Sequence, residues 1–144
     1  MIRPGEAQMD IARIVYASQP FGYDEATLAG ILMDARRCNK RDGITGALIC
    51  RRDIYLQLLE GPAAAVRYAF ERIRRDDRHV GVECLISEVT LIRLFPDWDM
   101  LHDPAKSWLW TREEIAEGVL ETVTHHQILN VFRSLSSQVA SVAR

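Results

Sequence analysis

Residues 36–61 read RRCNKRDGITGALICRRDIYLQLLEG. The stretch predicts the end of a helix, a tight turn at Asp42-Gly43, and two apolar strands, Ile44–Cys50 and Ile54–Glu60, joined by a short Arg-Arg-Asp connection. Both strands are apolar at consecutive positions, so both faces of their sheet need cover. Two amides, Asn39 and Gln57, stand where hydrocarbon would satisfy the pattern. An unpartnered buried amide costs about 1–3 kcal/mol, so the fold or a ligand must satisfy Gln57.

Outward from this hairpin the elements alternate. Ile11–Ser18 is a short β-branched run that reads as a first strand, broken by Pro20 and Gly22. Asp24 is an N-cap for a helix whose stripe is Leu28, Ile31, Leu32 and Ala35. Arg36 and Arg37 in its last turn suit the negative end of the helix dipole. After the hairpin, Gly61-Pro62 opens a second helix with Val66, Ala69, Phe70 and Ile73 facing inward. Val82–Val89 reads as a fourth strand, and Leu91–Phe95, stopped by Pro96, as a fifth. Thr111 and Glu114 form a capping box, and Ile128, Phe132, Leu135, Val139 and Val142 mark a last helix. The expected class is α+β: a ferredoxin-like β-α-β-β-α-β-β sheet with two helices on one face. C-terminal helices are expected to cover the other face.

The 144 residues suit one domain, with 48% hydrophobic and 26% charged residues. A net charge of −2 gives no global attraction to nucleic acid or to an anionic membrane. Basic residues do cluster at Arg36, Arg37, Lys40, Arg41, Arg51 and Arg52, a solvated rim or a local phosphate site. Cys38, Cys50 and Cys84 follow neither a disulfide nor a zinc spacing, which points to a reducing, cytoplasmic setting. Residues 1–10 read as a loose leader without a signal-peptide core, and no run is long enough to span a bilayer.

Several short motifs stand in one order: Tyr16-Ala17-Ser18, Ile31-Leu32, Ala35-Arg36 with Asn39, and Gly43–Leu48. Gln57–Pro62, Asp77-Arg78-His79, Arg93 and Phe95–Met100 follow. Over Ile14–Met100 they resemble the BLUF domain, a blue-light sensor that uses flavin. The resemblance implies FAD held non-covalently between the two helices, in a sensor domain at 11–102 followed by a helical cap or output segment at 103–144. It implies Tyr16 as the photo-oxidised partner and Gln57 as the hydrogen-bond relay. Asn39 would bond the flavin carbonyl edge and Arg78 the pyrimidine end, with His79 nearby. Ile31 and Ile73 would flank the ring, and Trp98 and Met100 would form the output element on the last strand. An amide suits a relay because it carries donor and acceptor in one plane and can exchange their roles. One departure stands at Cys38, where family members often carry asparagine or histidine. The basic residues 36–41 are candidates to compensate by attracting the pyrophosphate.

A light sensor of this kind catalyses no net reaction, so no enzyme activity is expected. Residues 103–144 are too short for a cyclase or phosphodiesterase. Output is therefore expected through a separate effector protein or through self-association as a dimer or larger ring. Two rival readings remain. One is a light-inert ferredoxin-like interaction module. The other is a small flavin-dependent or acylphosphatase-like enzyme, against which stand the missing phosphate-cradling loop and nucleophile–base pair.

Overall fold

The structure is a computed structural model that describes residues 10–20, 25–51, 54–76, 78–104 and 111–142. Residues 1–9 of the leader, the Asp24 cap, the Gly22 break, the hairpin tip and Asp77 lie outside the described residues. The elements run β1 (Ile11–Pro20), α1 (Glu25–Asp42), β2 (Thr45–Arg51), β3 (Ile54–Gly61), α2 (Ala63–Arg74) and β4 (His79–Thr90). Then come β5 (Leu101–Pro104), α3 (Arg112–Ala116), a 3-10 turn (Val119–Glu121) and α4 (His125–Val142).

The five strands form one mixed sheet in the order β4-β1-β3-β2-β5, with β5 parallel to β2 and the other pairs antiparallel. The hairpin supplies the sheet's centre: β3 is buried along its whole length. Gly43, at a φ of 73°, ends α1 in the left-handed region that glycine tolerates. Gly46 is required for another reason: a Cβ there would sit 1.9 Å from the Leu58 carbonyl oxygen across the ladder.

Alternation along the strands divides the core into two layers. On one face Tyr16, Leu48, Tyr55 and Leu59 pack with Leu28, Ile31 and Leu32 of α1 and Val66 and Ala69 of α2. On the other, Val15, Ala17, Ala47, Ile49, Leu56 and Leu58 pack with Ile128, Leu129, Phe132 and Leu135 of α4. The doubly apolar strands thus receive the cover they need on both faces. The Thr111–Glu114 capping box is formed as read. A second reciprocal pair, Thr124 with Gln127, starts α4 in the same way.

The fifth strand is a correction. Leu91–Phe95 is not a strand, and β4 instead runs the full length His79–Thr90. Leu91 and Ile92, whose apolar character suggested a ladder, are 76% and 74% exposed. Side chains replace ladder partners along this segment. Arg13 Nη2 donates to the Ile92 carbonyl (3.0 Å), Ser136 Oγ to the Leu94 carbonyl (2.7 Å), and the Phe95 amide to Glu60 Oε2 (2.7 Å). Arg93 reaches Thr45 Oγ1 and the carbonyls of Gly43 and Glu60. The true fifth strand begins at Leu101, so Trp98 and Met100 precede it.

Candidate functional site

Tyr16 and Gln57 are direct partners across the β1–β3 ladder, and Leu48 of β2 stands opposite Gln57 on the other side. Both polar side chains are therefore committed to the α1/α2 face. The Tyr16 hydroxyl is fully buried and has no hydrogen-bond partner among the described residues. Its ring lies 5.6 Å from Phe70 and 6.0 Å edge-on from His79. Burial, reinforced by the nearby Asp76 charge, raises its pKa well above the ordinary range, so the phenol is neutral.

Gln57 is buried, and its Nε2 donates to Met100 Sδ at 3.3 Å. A thioether is a weak acceptor, so this contact is easily exchanged for a better one. The segment carrying Met100 is strapped to both neighbouring elements. Asn39 Nδ2 donates to the Asp99 carbonyl (2.8 Å), Arg36 Nε to the Met100 carbonyl (3.1 Å), and the Gly46 amide to the Trp98 carbonyl (3.0 Å). Met100 is 1% exposed whereas Trp98 is 37% exposed. The irregular backbone thus turns methionine toward the glutamine and leaves the tryptophan at the surface.

A cleft between α1 and α2 is lined by Ile31, Asn39, Gln57, Ile73, Arg78 and His79, all expected, together with Asp34, Arg72 and Asp76. Arg78 links two of the lining carboxylates: Nη2 meets Asp76 Oδ2 at 2.6 Å and Asp34 Oδ2 on α1 at 3.1 Å. These bonds from Arg78 hold the Asp76 carboxyl below the usual range. Arg72 was not expected. Its Nη1 is buried without a hydrogen-bond partner among the described residues. Its neighbours Arg74 and Arg75 made it look like part of a basic helix end, and only its place beside Ile73 on the inner stripe could have signalled otherwise. Tyr16 and Met100 flank Gln57 without lining the cleft, and Trp98 lies outside it.

His79 is buried, with Nδ1 2.8 Å from Ser18 Oγ. Burial pushes its pKa down to about 4, so the ring is neutral near pH 7. The unfolded chain takes up a proton below about pH 6.5 that the native state refuses. Stability is therefore complete above about pH 6.5 and declines as pH falls toward 4, by up to about 3 kcal/mol. Urea midpoints at about pH 7.5 and about pH 5 should separate for the wild type and converge in His79→Gln. Equal separations in both proteins would remove His79 as the cause.

A family model described as "BLUF: Sensors of blue-light using FAD" matches residues 11–101. The chain belongs to the BLUF family, and it is a blue-light photoreceptor domain. It is 31% identical over 119 residues to the photoactivated adenylate cyclase subunit beta of Euglena gracilis, covering 79% of this chain and 13% of that protein. The chain thus spans only a small part of that relative's length. A structure of the photo-activated state of BlsA superposes with a TM-score of 0.72 at 27% identity, covering 86% of this chain and 92% of the other. The dark-state structure of the BLUF protein BlrB gives a TM-score of 0.74 at 24% identity, over 90% and 97% of the two chains, a likeness of fold.

Proposed function

We propose that the α1/α2 cleft binds FAD non-covalently and that Tyr16 and Gln57 convert absorbed light into a hydrogen-bond change. The observation that carries this reading is the buried phenol without a hydrogen-bond partner directly across the ladder from an amide bonded only weakly to a thioether. The donor set suits a flavin edge: Asn39 and Gln57 offer amides, Arg72 an unpartnered N–H, and Ile31 and Ile73 apolar flanks. The free space between the helices is about 40 Å³, room for a water or two. A three-ring system is larger than this space, so its binding widens the gap between α1 and α2.

When bound, the flavin would supply absorption of blue light and an oxidising excited state, with Tyr16 as the electron donor. Tyr16 would lose an electron and its Oη proton together. Gln57 would take that proton at its amide oxygen and release one from Nε2 toward the flavin, and both electron and proton would return to Tyr16 on recombination. Gln57 is left rotated or tautomerised, with donor and acceptor exchanged. Its Nε2 then no longer supports Met100 Sδ. Because Asp99, Met100 and Trp98 are tied through their carbonyls to Asn39, Arg36 and Gly46, that loss biases how the strap and β5 sit on the sheet.

The signal passes, in this reading, through residues 103–144 to a separate effector or a second copy of the chain, with no catalysis by the sensor itself. Homo-oligomers, dimeric or larger, fit this output. A cytoplasmic setting is supported by three unbridged thiols. Among the described residues no helix is long and apolar enough to cross a membrane. The light-inert module is disfavoured by the buried, unpartnered Tyr16 hydroxyl, which such a module would have no reason to retain.

Tyr16→Phe tests the donor role. It removes one buried hydroxyl with no partner, so stability is expected to hold or rise by about 1 kcal/mol. Time-resolved flavin fluorescence should lengthen several-fold as the quencher is lost. An unchanged fluorescence lifetime would exclude Tyr16 as the electron donor.

A further inference from the structure

A second hollow adjoins the cleft on the outer side of α2. It has a volume of about 540 Å³ and is lined by Ala64, Arg67, Tyr68, Glu71, Arg72 and Arg75, a size usual for organic ligands. Arg72 lines both spaces, so the two hollows meet at this side chain. The basic run at 36–41, the first candidate for phosphate, is largely engaged elsewhere. Arg36 holds the Met100 carbonyl, Arg37 pairs with Asp34, and Arg41 pairs with Asp42.

The α2 arginines differ. The Arg67 and Arg75 side chains are exposed and make neither an ion pair nor a hydrogen bond among the described residues. The Arg72 Nη1 is buried and unpartnered. The one carboxylate in the lining, Glu71, is paired with Arg74 at 3.1 Å. Tyr68 is 63% exposed, with the Arg72 guanidinium 6.0 Å above one side of its ring. Three guanidinium groups beside an open aromatic face form a site for a diphosphate joined to a planar base.

We propose that this groove takes the ADP half of the flavin dinucleotide, with Arg67, Arg72 and Arg75 on the pyrophosphate and Tyr68 stacked on the adenine. The assignment rests on the flavin reading of the neighbouring cleft. It makes α2 the element that selects the dinucleotide over shorter flavins.

The test is a comparison of dissociation constants for riboflavin, FMN and FAD, by fluorescence titration of the full chain stripped of flavin. Affinity should rise from riboflavin through FMN to FAD, by about ten- to a hundredfold overall at low salt, and the gain should shrink as salt is added. Arg67→Ala with Arg75→Ala should erase most of that gain and leave riboflavin binding unchanged, since neither residue lines the inner cleft. Tyr68→Ala should remove only the step from FMN to FAD. If FAD binds no more tightly than riboflavin, or the gain survives the double substitution, the groove is not the ADP site, while the flavin reading stands. Failure of all three flavins to bind would overturn both.

Discussion

Gln57→Leu is expected to give a folded protein that still takes up flavin but shows no red shift under blue light. The side chains are close in volume, and Gln57 is buried at the centre of the sheet with Met100 Sδ as its amide's partner. Removing a buried amide that has only a weak acceptor, and replacing it with hydrocarbon, is nearly neutral or stabilising. Loss of fold therefore cannot be the reason for a lost signal, and thermal denaturation of the variant should lie within a few degrees of the wild type. Leucine has neither donor nor acceptor, so nothing can exchange roles between Tyr16 and the flavin. A light-minus-dark spectrum of normal size in this variant would show that the relay runs through another group.

The second large effect is on stability. Glu60→Ala is expected to cost about 1–3 kcal/mol, because it takes one of two carboxylates from the buried Arg13 and leaves the buried Phe95 amide without its acceptor. Glu60 is fully buried and Arg13 nearly so, at an Nη2–Oε1 distance of 3.4 Å, with Glu88 completing the cluster at 3.0 Å. The same carboxylate accepts the Phe95 amide. The substitution therefore also loosens the segment that brings Asp99 to Asn39 and Met100 to Gln57. Glu60→Gln keeps an acceptor for Phe95 while removing the charge, and should fall between the two. Urea unfolding measures both variants; a loss below about 1 kcal/mol for Glu60→Ala would mean that the pair does not anchor this segment.

These two positions also mark what the chain's pattern reveals and what it hides. The hairpin is legible because β2 and β3 are apolar at successive positions, and that alone demands layers on both faces. Asn39, Gln57, Arg78 and His79 were legible through motifs whose order matches the family, and they meet in one cleft. The segment Leu91–Phe95 was not. Its carbonyls are held by Arg13 and Ser136, residues distant in the chain, and no local pattern reports such partners. The opposite fates of Trp98 and Met100 share that cause, since period-two alternation applies only where a strand exists. Arg72 was hidden by its basic neighbours, whose charge suits a helix end equally well.

The central claim is that a flavin bound in the α1/α2 cleft triggers a reversible hydrogen-bond change through Tyr16 and Gln57. The most direct test is the absorption spectrum of the purified, flavin-loaded protein before and after blue light, followed in darkness. A small red shift of the flavin band that reverses in the dark is the predicted result. A flavin-loaded protein whose band is unmoved by light, or only bleaches, would contradict it.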